Sequence, residues 1–326
     1  MKKKILITGG SGYIGSCLYS LLKKKFNIFI LDKDKKKDWQ IIPKNKYFKC
    51  NLINLKKADK IISQIKPNTI IHLASLSTVN EKLKKRDYYQ NNVVATKNII
   101  KIIKKNRIRN IIYSSTASVY DYKKQKINEK SKLNPISKYG KTKLLSEKVI
   151  QRSGLNYIIF RFFNVSSAII KPLTGEYHNP ETHLIPTLIN NLMNNKISKI
   201  FGKDYNTKDG TCIRDYIHVK DICHAIYLGI KLIEKNKIKT ILNLGNGKGN
   251  SNLDIVKSII KISKKKLLFK FSSRRKGDQP KLICDIKKSK RILKWFPKNS
   301  SLNKIIMDEI IWSNFLTKKN YKRRFY

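Results

Sequence analysis

The feature of this chain that most restricts its fold is the run ILITGGSGYIGS near its start. A short apolar strand, a glycine-rich turn and the beginning of a helix follow one another within it. Gly9, Gly12 and Gly15 have the spacing G-x-x-G-x-x-G. The first two glycines let the backbone turn tightly and approach a pyrophosphate, and the third lets the helix pack closely against the strand. The run therefore predicts a dinucleotide-binding strand–helix unit.

Short apolar runs alternate with helical patterns through the first half of the chain. The strand candidates are KILIT, NIFILD, YFKC, TIIHLA, NIIYSS and YIIFRFFN. Helical patterns cover residues 17–25, 92–105 and 137–152, and a helix at 222–235 and the strand TILNLGN are expected to return to the same sheet. Buried strands alternating with helices are typical of a parallel sheet covered on both faces. We therefore predict an α/β fold with a Rossmann-type doubly wound parallel sheet.

The pattern of the second half is looser. Residues 166–183 are predicted to form a long loop, after which shorter strands and helices follow. No repeat or low-complexity linker separates the halves. We predict that residues 1–165, with return segments near 212–246, form the cofactor-binding Rossmann domain. Residues 166–326 are then a smaller C-terminal α/β domain that binds the substrate.

The strongest compositional bias is a net charge of +51, from 72 basic and 21 acidic residues. Such a charge is typical of proteins that bind nucleic acid or another polyanion. Most of the excess is lysine, spread over the whole chain together with abundant Ile and Asn, and no DNA-reading motif accompanies it. We interpret it as coding bias on solvated faces, and expect no nucleic-acid partner. The positive field should still help to attract a dianionic substrate.

The cysteines, histidines and apolar runs do not indicate a disulfide-rich, metal-binding, membrane or secreted protein. Five cysteines form no C-x-x-C pair, which favours reduced thiols, and five histidines are spread out, so no metal site is expected. No apolar run approaches the roughly 20 residues that span a bilayer. The start of the sequence has no apolar core of a signal peptide. We expect a cytoplasmic protein with no membrane partner.

An acidic residue ends the second predicted strand. Asp32 follows the glycine-rich turn at about the 20-residue interval of a ribose-binding acid. A carboxylate there accepts hydrogen bonds from the adenosine ribose and repels a 2′-phosphate. Asp32 therefore favours NAD over NADP as the cofactor.

The stretch SKYGKTK places Tyr139 four residues before Lys143, so the two lie on one face of a helix. Either this is an amphipathic surface helix with a chance tyrosine, or the lysine lowers the pKa of a phenol that accepts a proton. Moving the pKa of a tyrosine from ~10 to ~7 takes roughly 4 kcal/mol. Ser115 and Thr116 end another predicted strand, where ligands of open α/β sheets bind. We expect both hydroxyls to face Tyr139.

Together these motifs resemble the extended short-chain dehydrogenase/reductase superfamily and, within it, the UDP-glucose 4-epimerases. The shared superfamily motifs are TGGSGYIGS, HLA, NNVVAT, SSTASVY and YGKTK. Closer to the epimerases are RFFNV, HNPETHLIP, FGKDYNTKDGTCIRDYIHV and RRKGD. The resemblance runs from residue 3 to about residue 295. It implies an NAD-binding first domain and a UDP-sugar-binding second domain.

The resemblance also implies roles for individual residues. Tyr139 would be the catalytic base, Lys143 its activator and Thr116 the hydroxyl that bridges to the sugar O4. The implied NAD contacts are Gly9, Gly12, Tyr13, Ile14, Gly15, Asp32, Asn51, Leu52, Leu73, Ala74, Ser75, Asn92, Ser114, Tyr139 and Lys143. The implied UDP-sugar contacts are Thr116, Asn164, His183, Leu184, Phe201, Arg214, Tyr216, Arg275, Asp278 and Leu282. Asn51 departs from the family, which has an Asp there for the adenine amino group.

Enzymes of this family invert C4 of the sugar by oxidation with bound NAD, rotation of the 4-keto intermediate and re-reduction. Ala117 and Ser118 follow Thr116, where the related 4,6-dehydratases carry Asp-Glu and the UDP-glucuronate decarboxylases keep a Glu. Without a carboxylate there, elimination lacks its acid and base. The resemblance therefore implies NAD-dependent interconversion of UDP-glucose and UDP-galactose.

Two alternatives stay open. One is a UDP-N-acetylglucosamine 4-epimerase or another UDP-sugar 4-epimerase. Leu282 lies seven residues after the second Arg of RRKGD, where bulk limits the C2 substituent in the family. Its intermediate size implies weaker turnover of N-acetylated sugars, unless Leu282 only packs against its loop. The other alternative is a catalytically silent NAD-sensing or polyanion-binding protein. The resemblance also implies a homodimer, formed through the helices at 92–105 and 137–152.

Overall fold

The computed structural model describes residues 1–77, 83–121, 126–178, 181–275 and 278–321. Its strands, in chain order, are β1 (Lys4–Thr8), β2 (Asn27–Asp32), β3 (Tyr47–Lys49), β4 (Thr69–His72), β5 (Asn110–Thr116), β6 (Lys126–Ile127), β7 (Asn156–Phe162), β8 (Asn164–Ser166), β9 (Ala168–Ile169), β10 (Thr174–Gly175), β11 (Ser198–Phe201), β12 (Ile213–Arg214), β13 (Tyr216–His218), β14 (Lys239–Leu244), β15 (Asn250–Ser251), β16 (Phe269–Ser272) and β17 (Lys281–Cys284).

The α-helices, in the same order, are α1 (Tyr13–Leu22), α2 (Leu55–Ile65), α3 (Lys85–Tyr88), α4 (Ala95–Lys105), α5 (Lys138–Gln151), α6 (Leu184–Met193), α7 (Val219–Lys235), α8 (Asn252–Ser263), α9 (Lys287–Leu293) and α10 (Leu302–Lys318). A π-helical segment at Tyr89–Val94 leads into α4, and short 3-10 helices lie at Lys44–Lys46 and Ala117–Val119. Within the described ranges, no helix is long and apolar enough to cross a membrane.

The centre of the protein is a seven-stranded sheet in the order β14-β7-β5-β4-β1-β2-β3. Every neighbouring pair in it is parallel. The predicted Rossmann-type parallel sheet is therefore confirmed. Because all strands run the same way, the residues after Thr8, Asp32, His72 and Thr116 meet at one edge, the carboxyl edge.

Both faces of this sheet are buried, and alternate residues of β1 serve opposite faces. Ile5 and Ile7 join a core cluster that includes residues of α1 and α7. Leu6 joins the cluster on the other face, with residues of α2 and α4. Side chains of a strand alternate between the two faces of a sheet. A strand in a sheet that is covered on both faces therefore needs an uninterrupted apolar run. The doubly wound arrangement follows from this pattern.

The expected return to the main sheet is also present. Strand β14 pairs with β7 in parallel, from Lys239 opposite Tyr157 to Leu244 opposite Phe162. Helix α7 precedes β14 and packs its buried face against α1. The exact boundary between the two domains stays a prediction.

Three details differ from the expected elements. Helix α1 begins at Tyr13, four residues before the expected start at 17, and helix α2 was not expected. Asn54 caps α2 by accepting a hydrogen bond from the Lys57 N–H at 3.0 Å. The predicted loop at 166–183 contains the antiparallel pair β9–β10.

The second half of the chain forms smaller layers beside the carboxyl edge. Helices α6, α8 and α10 surround a separate apolar cluster that includes Ile189, Ile259 and Ile305. A small sheet has the strand order β15-β12-β17-β6. Through this small sheet, β12 and β17 from the second half reach β6, which lies shortly after the end of β5.

Candidate active site

The glycine-rich turn connects β1 to α1 and depends on its glycines. Gly9 has a φ of +71°, and a Cβ there would lie 2.6 Å from the backbone nitrogen of Ala74. A Cβ on Gly15 would lie 2.5 Å from the Gly9 carbonyl oxygen. Gly12 is the N-cap residue of α1, and no described side chain caps that helix end. The first N–H groups of α1 therefore suit a pyrophosphate, as the sequence predicted.

Asp32 holds the glycine-rich turn against the end of β2. Its Oδ2 accepts a hydrogen bond from the Ser11 N–H at 2.9 Å, and its Oδ1 accepts one from the Asp34 N–H at 3.1 Å. Each carboxylate oxygen keeps a further lone pair, so Asp32 still suits a ribose hydroxyl. Asn51 is exposed and its side-chain oxygen accepts a hydrogen bond from the Ile53 N–H at 3.0 Å.

The remaining residues expected to contact the cofactor lie near the same edge. Leu73, Ala74 and Ser75 directly follow β4, and Leu52 lies just after β3. Ser114 lies within β5 and donates a hydrogen bond to the His72 carbonyl at 3.3 Å.

Asn92, an expected NAD contact, lies inside the protein. It is only 1% exposed. Its Oδ1 accepts a hydrogen bond from the Leu76 N–H at 2.7 Å, and its Nδ2 donates to Thr142 Oγ1 at 3.0 Å. Asn92 therefore ties the segment after β4 to helix α5.

Helix α5 brings Tyr139 to the carboxyl edge of the main sheet. Ser137 caps the helix by accepting a hydrogen bond from the Gly140 N–H at 3.0 Å. A Cβ on Gly140 would lie 2.3 Å from the Ser118 carbonyl oxygen, so the first turn of α5 touches the turn after Thr116. Thr116 Oγ1 accepts a hydrogen bond from the Ser118 N–H at 3.2 Å. The close approach at Gly140 thus places Tyr139 and Thr116 on adjacent turns.

Lys143 lies one turn beyond Tyr139 and is only 1% exposed. Its Nζ lies 4.3 Å from the ring centroid of Tyr113, within the range of a cation–π interaction. Burial lowers the pKa of Lys143 to about 7, and the negative charge of Glu147 partly opposes this. A solvated surface helix would not bury its lysine in this way. The geometry therefore favours the proton-transfer interpretation of the Tyr139–Lys143 pair.

Ser115 does not face Tyr139, and that prediction was wrong. Its hydroxyl donates a hydrogen bond to Glu147 Oε1, in the interior. Successive side chains of a strand point to opposite faces, so Ser115 and Thr116 cannot both face one site. Arg161 Nη2 donates to Glu147 Oε2 at 2.6 Å and Nε to Oε1 at 3.0 Å. Arg161 Nη1 also donates to the Tyr120 hydroxyl at 2.9 Å.

The buried hydrogen-bond network around Glu147 and Arg161 was not predicted from the sequence. Glu147 and Arg161 are 1% and 2% exposed. The sequence signal for the network was a charged residue within each of two apolar patterns. A charged residue is rarely buried without a partner, so two such residues indicate a buried pair. The network includes Glu147, which lies one helical turn after Lys143 on α5.

Four of the predicted UDP-sugar contacts cluster beside β12. Arg214 Nη2 lies 3.3 Å from Asp278 Oδ1, and Arg214 Nη1 donates to the Gln279 carbonyl at 2.7 Å. The Arg275 guanidinium lies 3.9 Å from the ring centroid of Phe201. The Asp278 N–H donates to the Arg275 carbonyl at 3.2 Å, which joins the two contacts into one cluster.

Strand pairing connects the other predicted UDP-sugar contacts to this cluster. Asn164 of β8 lies opposite Tyr216 of β13, and Leu282 of β17 lies opposite Arg214. Leu282 packs against a buried apolar cluster that contains Ala117 and Phe163. Ala117 directly follows Thr116, so this packing connects the Arg214 cluster to the Tyr139 site.

His183 and Leu184 begin helix α6, with His183 at the N-cap position. Four possible ligands for a metal ion come together there: Glu176, His178, Glu181 and His183. No metal site was expected, because the five histidines are spread along the sequence. The spacing of the four possible ligands in the sequence is E-x-H-x-x-E-x-H, within the stretch EYHNPETH. Residues 179 and 180 of that stretch, and 276 and 277 of RRKGD, lie outside the described ranges.

Residues 5–245 match the profile of the family described as "NAD dependent epimerase/dehydratase family". The chain is 34% identical over 318 residues to a UDP-glucose 4-epimerase of Lactobacillus helveticus, covering 95% of this chain and 96% of that one.

Solved structures resemble the whole fold. A UDP-glucose 4-epimerase of Brucella ovis in complex with NAD matches with a TM-score of 0.90 at 30% identity, over 95% of this chain and 98% of that one. The UDP-Glc/GlcNAc 4-epimerase of Campylobacter jejuni matches with a TM-score of 0.82 at 32% identity, over 96% of this chain and 99% of that one.

Proposed function

The chain belongs to the NAD dependent epimerase/dehydratase family, and we propose that it is a UDP-glucose 4-epimerase that interconverts UDP-glucose and UDP-galactose. One observation carries the proposal: a buried lysine, Lys143, lies one turn beyond Tyr139, and the Gly140 contact holds that turn against the turn after Thr116. This arrangement suits removal of a proton from a sugar hydroxyl beside a bound nicotinamide.

The cofactor is NAD, which when bound supplies the oxidation and re-reduction at C4 of the sugar. The chain's residues fit it. The glycine-rich turn and the N-terminus of α1 would hold the pyrophosphate, because a Cβ at Gly9 or Gly15 would collide with the backbone. Asp32 would accept hydrogen bonds from the adenosine ribose. The apolar residues after β3 and β4 would line the rest of the cofactor site.

Tyr139 is the group that takes the proton from the O4 hydroxyl and later returns it. Lys143 favours the phenolate, because a positive charge in a buried site stabilises a nearby negative one. The Thr116 hydroxyl orients O4 towards Tyr139. One residue thus serves as base in the first half of the reaction and as acid in the second.

The turn after Thr116 limits the chemistry to epimerisation. Its side chains are those of Ala117 and Ser118, which carry no carboxyl group. An elimination needs a further acid and base near C5 and C6 of the sugar. With none in this turn, the expected fate of the oxidised sugar is reduction.

Arg214 and Arg275 are the groups proposed to hold the UDP diphosphate. Guanidinium groups suit this because their donors form a planar fork that matches phosphate oxygens. Holding the nucleotide by its diphosphate leaves the sugar free to turn and present its other face. Turning is necessary because epimerisation requires reduction from the face opposite to oxidation.

A second activity, on N-acetylated UDP-sugars, is favoured by two observations. The similar Campylobacter jejuni protein is named a UDP-Glc/GlcNAc 4-epimerase. Leu282 is smaller than a tyrosine and lies in the strand that pairs with Arg214. We expect weaker turnover of the N-acetylated pair than of UDP-glucose and UDP-galactose.

We also propose a homodimer formed through α4 and α5. Leu145 on α5 is 42% exposed, and burying it would favour association. The cytoplasmic location stays a prediction, and the proposed interconversion would place the protein in galactose metabolism.

The test is incubation of the purified protein with UDP-galactose, followed by chromatographic separation of the sugar nucleotides. UDP-glucose should form until equilibrium, while the absorbance of reduced nicotinamide does not rise with product. Reduced nicotinamide that accumulates in step with product would indicate a dehydrogenase and contradict the proposal. Absence of conversion together with salt-sensitive nucleic-acid binding would instead favour the polyanion-binding alternative.

A further inference from the structure

We infer that Glu176, His178, Glu181 and His183 form a binding site for one divalent transition-metal ion, with zinc as the ion that their chemistry suits. One ligand atom from each residue lies within 4.8 Å of the other three. The site is separate from the residues proposed for proton transfer, and the inference does not depend on the proposed function.

The four side chains converge on a single point. Glu176 Oε1 lies 2.7 Å from His178 Nδ1 and 2.6 Å from His183 Nδ1. His183 Nδ1 lies 3.0 Å from Glu181 Oε1. Tetrahedral zinc with bonds of about 2.0–2.2 Å keeps its ligand atoms somewhat over 3 Å apart. Shifts of less than about 1 Å would therefore give coordination distances.

Two buried atoms of the cluster lack a hydrogen-bond partner among the described residues. They are Glu181 Oε2 and His178 Nδ1. The Glu181 side chain is fully buried, and a buried carboxylate oxygen without a partner is unfavourable. His178 Nδ1 is close to Glu176 Oε1 without hydrogen-bond alignment, as two ligands of one ion would be. Both observations indicate a cation between these groups.

The ligand set selects the type of cation. Two imidazole nitrogens and two carboxylate oxygens suit zinc, whereas Ca²⁺ and Mg²⁺ prefer oxygen ligands throughout. Two negative charges on Glu176 and Glu181, each at most 1% exposed, favour a divalent ion over a neutral occupant. His183 is half exposed and provides a route of entry from solvent.

The position of the site gives the ion a structural consequence. Trp312 Nε1 of α10 donates a hydrogen bond to the Glu176 carbonyl at 2.6 Å, and His183 lies at the N-cap position of α6. An ion held by both residues would therefore fasten the start of α6, with the proposed UDP contact Leu184, to the helical layer around α10. Metal binding should raise the thermal stability of this part of the protein.

The experiment uses the full chain, freed of metal with a chelator and then titrated with zinc chloride. We expect one zinc ion per chain by elemental analysis and a higher unfolding temperature with zinc. The variants His178→Gln and Glu181→Gln should bind zinc at least about 10–100-fold more weakly. The control His224→Gln, on α7, should bind zinc like the parent. Circular dichroism and NAD retention report whether each variant is folded.

Cobalt titration of the parent tests the ligand set without any substitution. Tetrahedral cobalt with nitrogen and oxygen ligands should give visible absorption without a thiolate charge-transfer band. A thiolate band would assign the metal to the buried cysteines and overturn the inference. Failure of the parent to bind zinc, or full retention of zinc by folded His178→Gln and Glu181→Gln, would also overturn it. Metal content is measured independently of epimerase activity, so the two proposals fail separately.

Discussion

The ammonium nitrogen of Lys143 lies 4.3 Å from the ring centroid of Tyr113, inside the protein and one helical turn beyond Tyr139. Burial lowers the pKa of Lys143 to about 7. The aromatic ring favours the cation, and burial favours the neutral amine. Small changes in charge nearby, such as ionisation of the Tyr139 phenol, therefore shift the protonation of Lys143.

Tyr139→Phe should fold and retain NAD but lose most of its turnover, because only the proton-transfer hydroxyl is removed. The expected loss in kcat is about 10²–10⁴-fold, with little change in KM. Steady-state kinetics with UDP-galactose measure both constants. Tyr89→Phe, at a tyrosine that is 37% exposed, is the control and should match the parent. Activity of Tyr139→Phe within a few-fold of the parent would remove Tyr139 from the role of base.

Lys143→Met should change how the free energy of unfolding depends on pH. The pKa of Lys143 is about 7 in the folded protein against 10.5 for an ordinary lysine. Between these values the unfolded chain binds more protons, so the lysine's contribution to stability rises with pH at up to about 1.4 kcal/mol per unit. Below pH 7 both states are protonated, and the slope vanishes.

Urea unfolding of the parent and of Lys143→Met across this range measures the difference. The parent should gain stability relative to the variant as the pH rises from 7. The other charged groups near position 143 are the same in the parent and the variant, so their contributions cancel in the comparison. His72 stays neutral over the range, because burial and Lys143 lower its pKa to about 3. Parallel pH dependences would show that Lys143 is not desolvated.

Glu147→Gln should destabilise the protein by about 3–5 kcal/mol, because it leaves the buried Arg161 guanidinium without its negative partner. The matched control is Asp59→Asn, which breaks the pair with Lys105, whose side chain is 71% exposed. That change should cost about 0–1 kcal/mol. Chemical denaturation measures both. Equal losses would mean that the Arg161–Glu147 pair contributes no more than a surface pair.

Arg214→Ala should raise KM for UDP-galactose much more than Lys199→Ala, a change at an exposed lysine of β11. The Arg214 side chain is 15% exposed and oriented by Asp278, whereas a solvated ammonium is screened by water and salt. Arg214→Lys keeps the charge without the planar fork and should have an intermediate KM. Small and equal effects of all three changes would show that the general positive field, rather than this guanidinium, binds the diphosphate.

Leu282→Tyr should suppress turnover of UDP-N-acetylgalactosamine while sparing UDP-galactose. A tyrosine would reduce the space for the C2 substituent, and lost pocket volume discriminates by roughly 1–3 kcal/mol, about 10–200-fold in kcat/KM. Competing the two substrates in one reaction measures the ratio directly. A parallel loss on both substrates, or no change on either, would mean that Leu282 only packs against the Ala117 cluster.

The central sheet and the cofactor turn could be predicted because their signals are local. A non-alternating apolar run such as residues 5–7 indicates a strand buried on both faces. Gly15 is required by a contact within a single strand–turn–helix unit, and Gly9 by its positive φ as well as by the approach of Ala74 after β4. Element ends were less certain, as the start of α1 at Tyr13 shows, because one cap residue can move a helix end. Helix α2 was not among the named helices, although its buried residues Ala58, Ile62 and Ile65 have a helical spacing.

The sequence by itself determined the layer architecture, the phosphate-binding turn and the spacing of Tyr139 and Lys143, since each depends on neighbours within a few residues. Only the tertiary structure decided that Ser115 bonds Glu147 rather than facing Tyr139. It alone paired Arg214 with Asp278, 64 residues away. Hydrogen bonds and ion pairs depend on differences of a few tenths of an ångström in atomic separations, which follow from packing between distant segments. The periods of a helix or a strand carry no information about such separations.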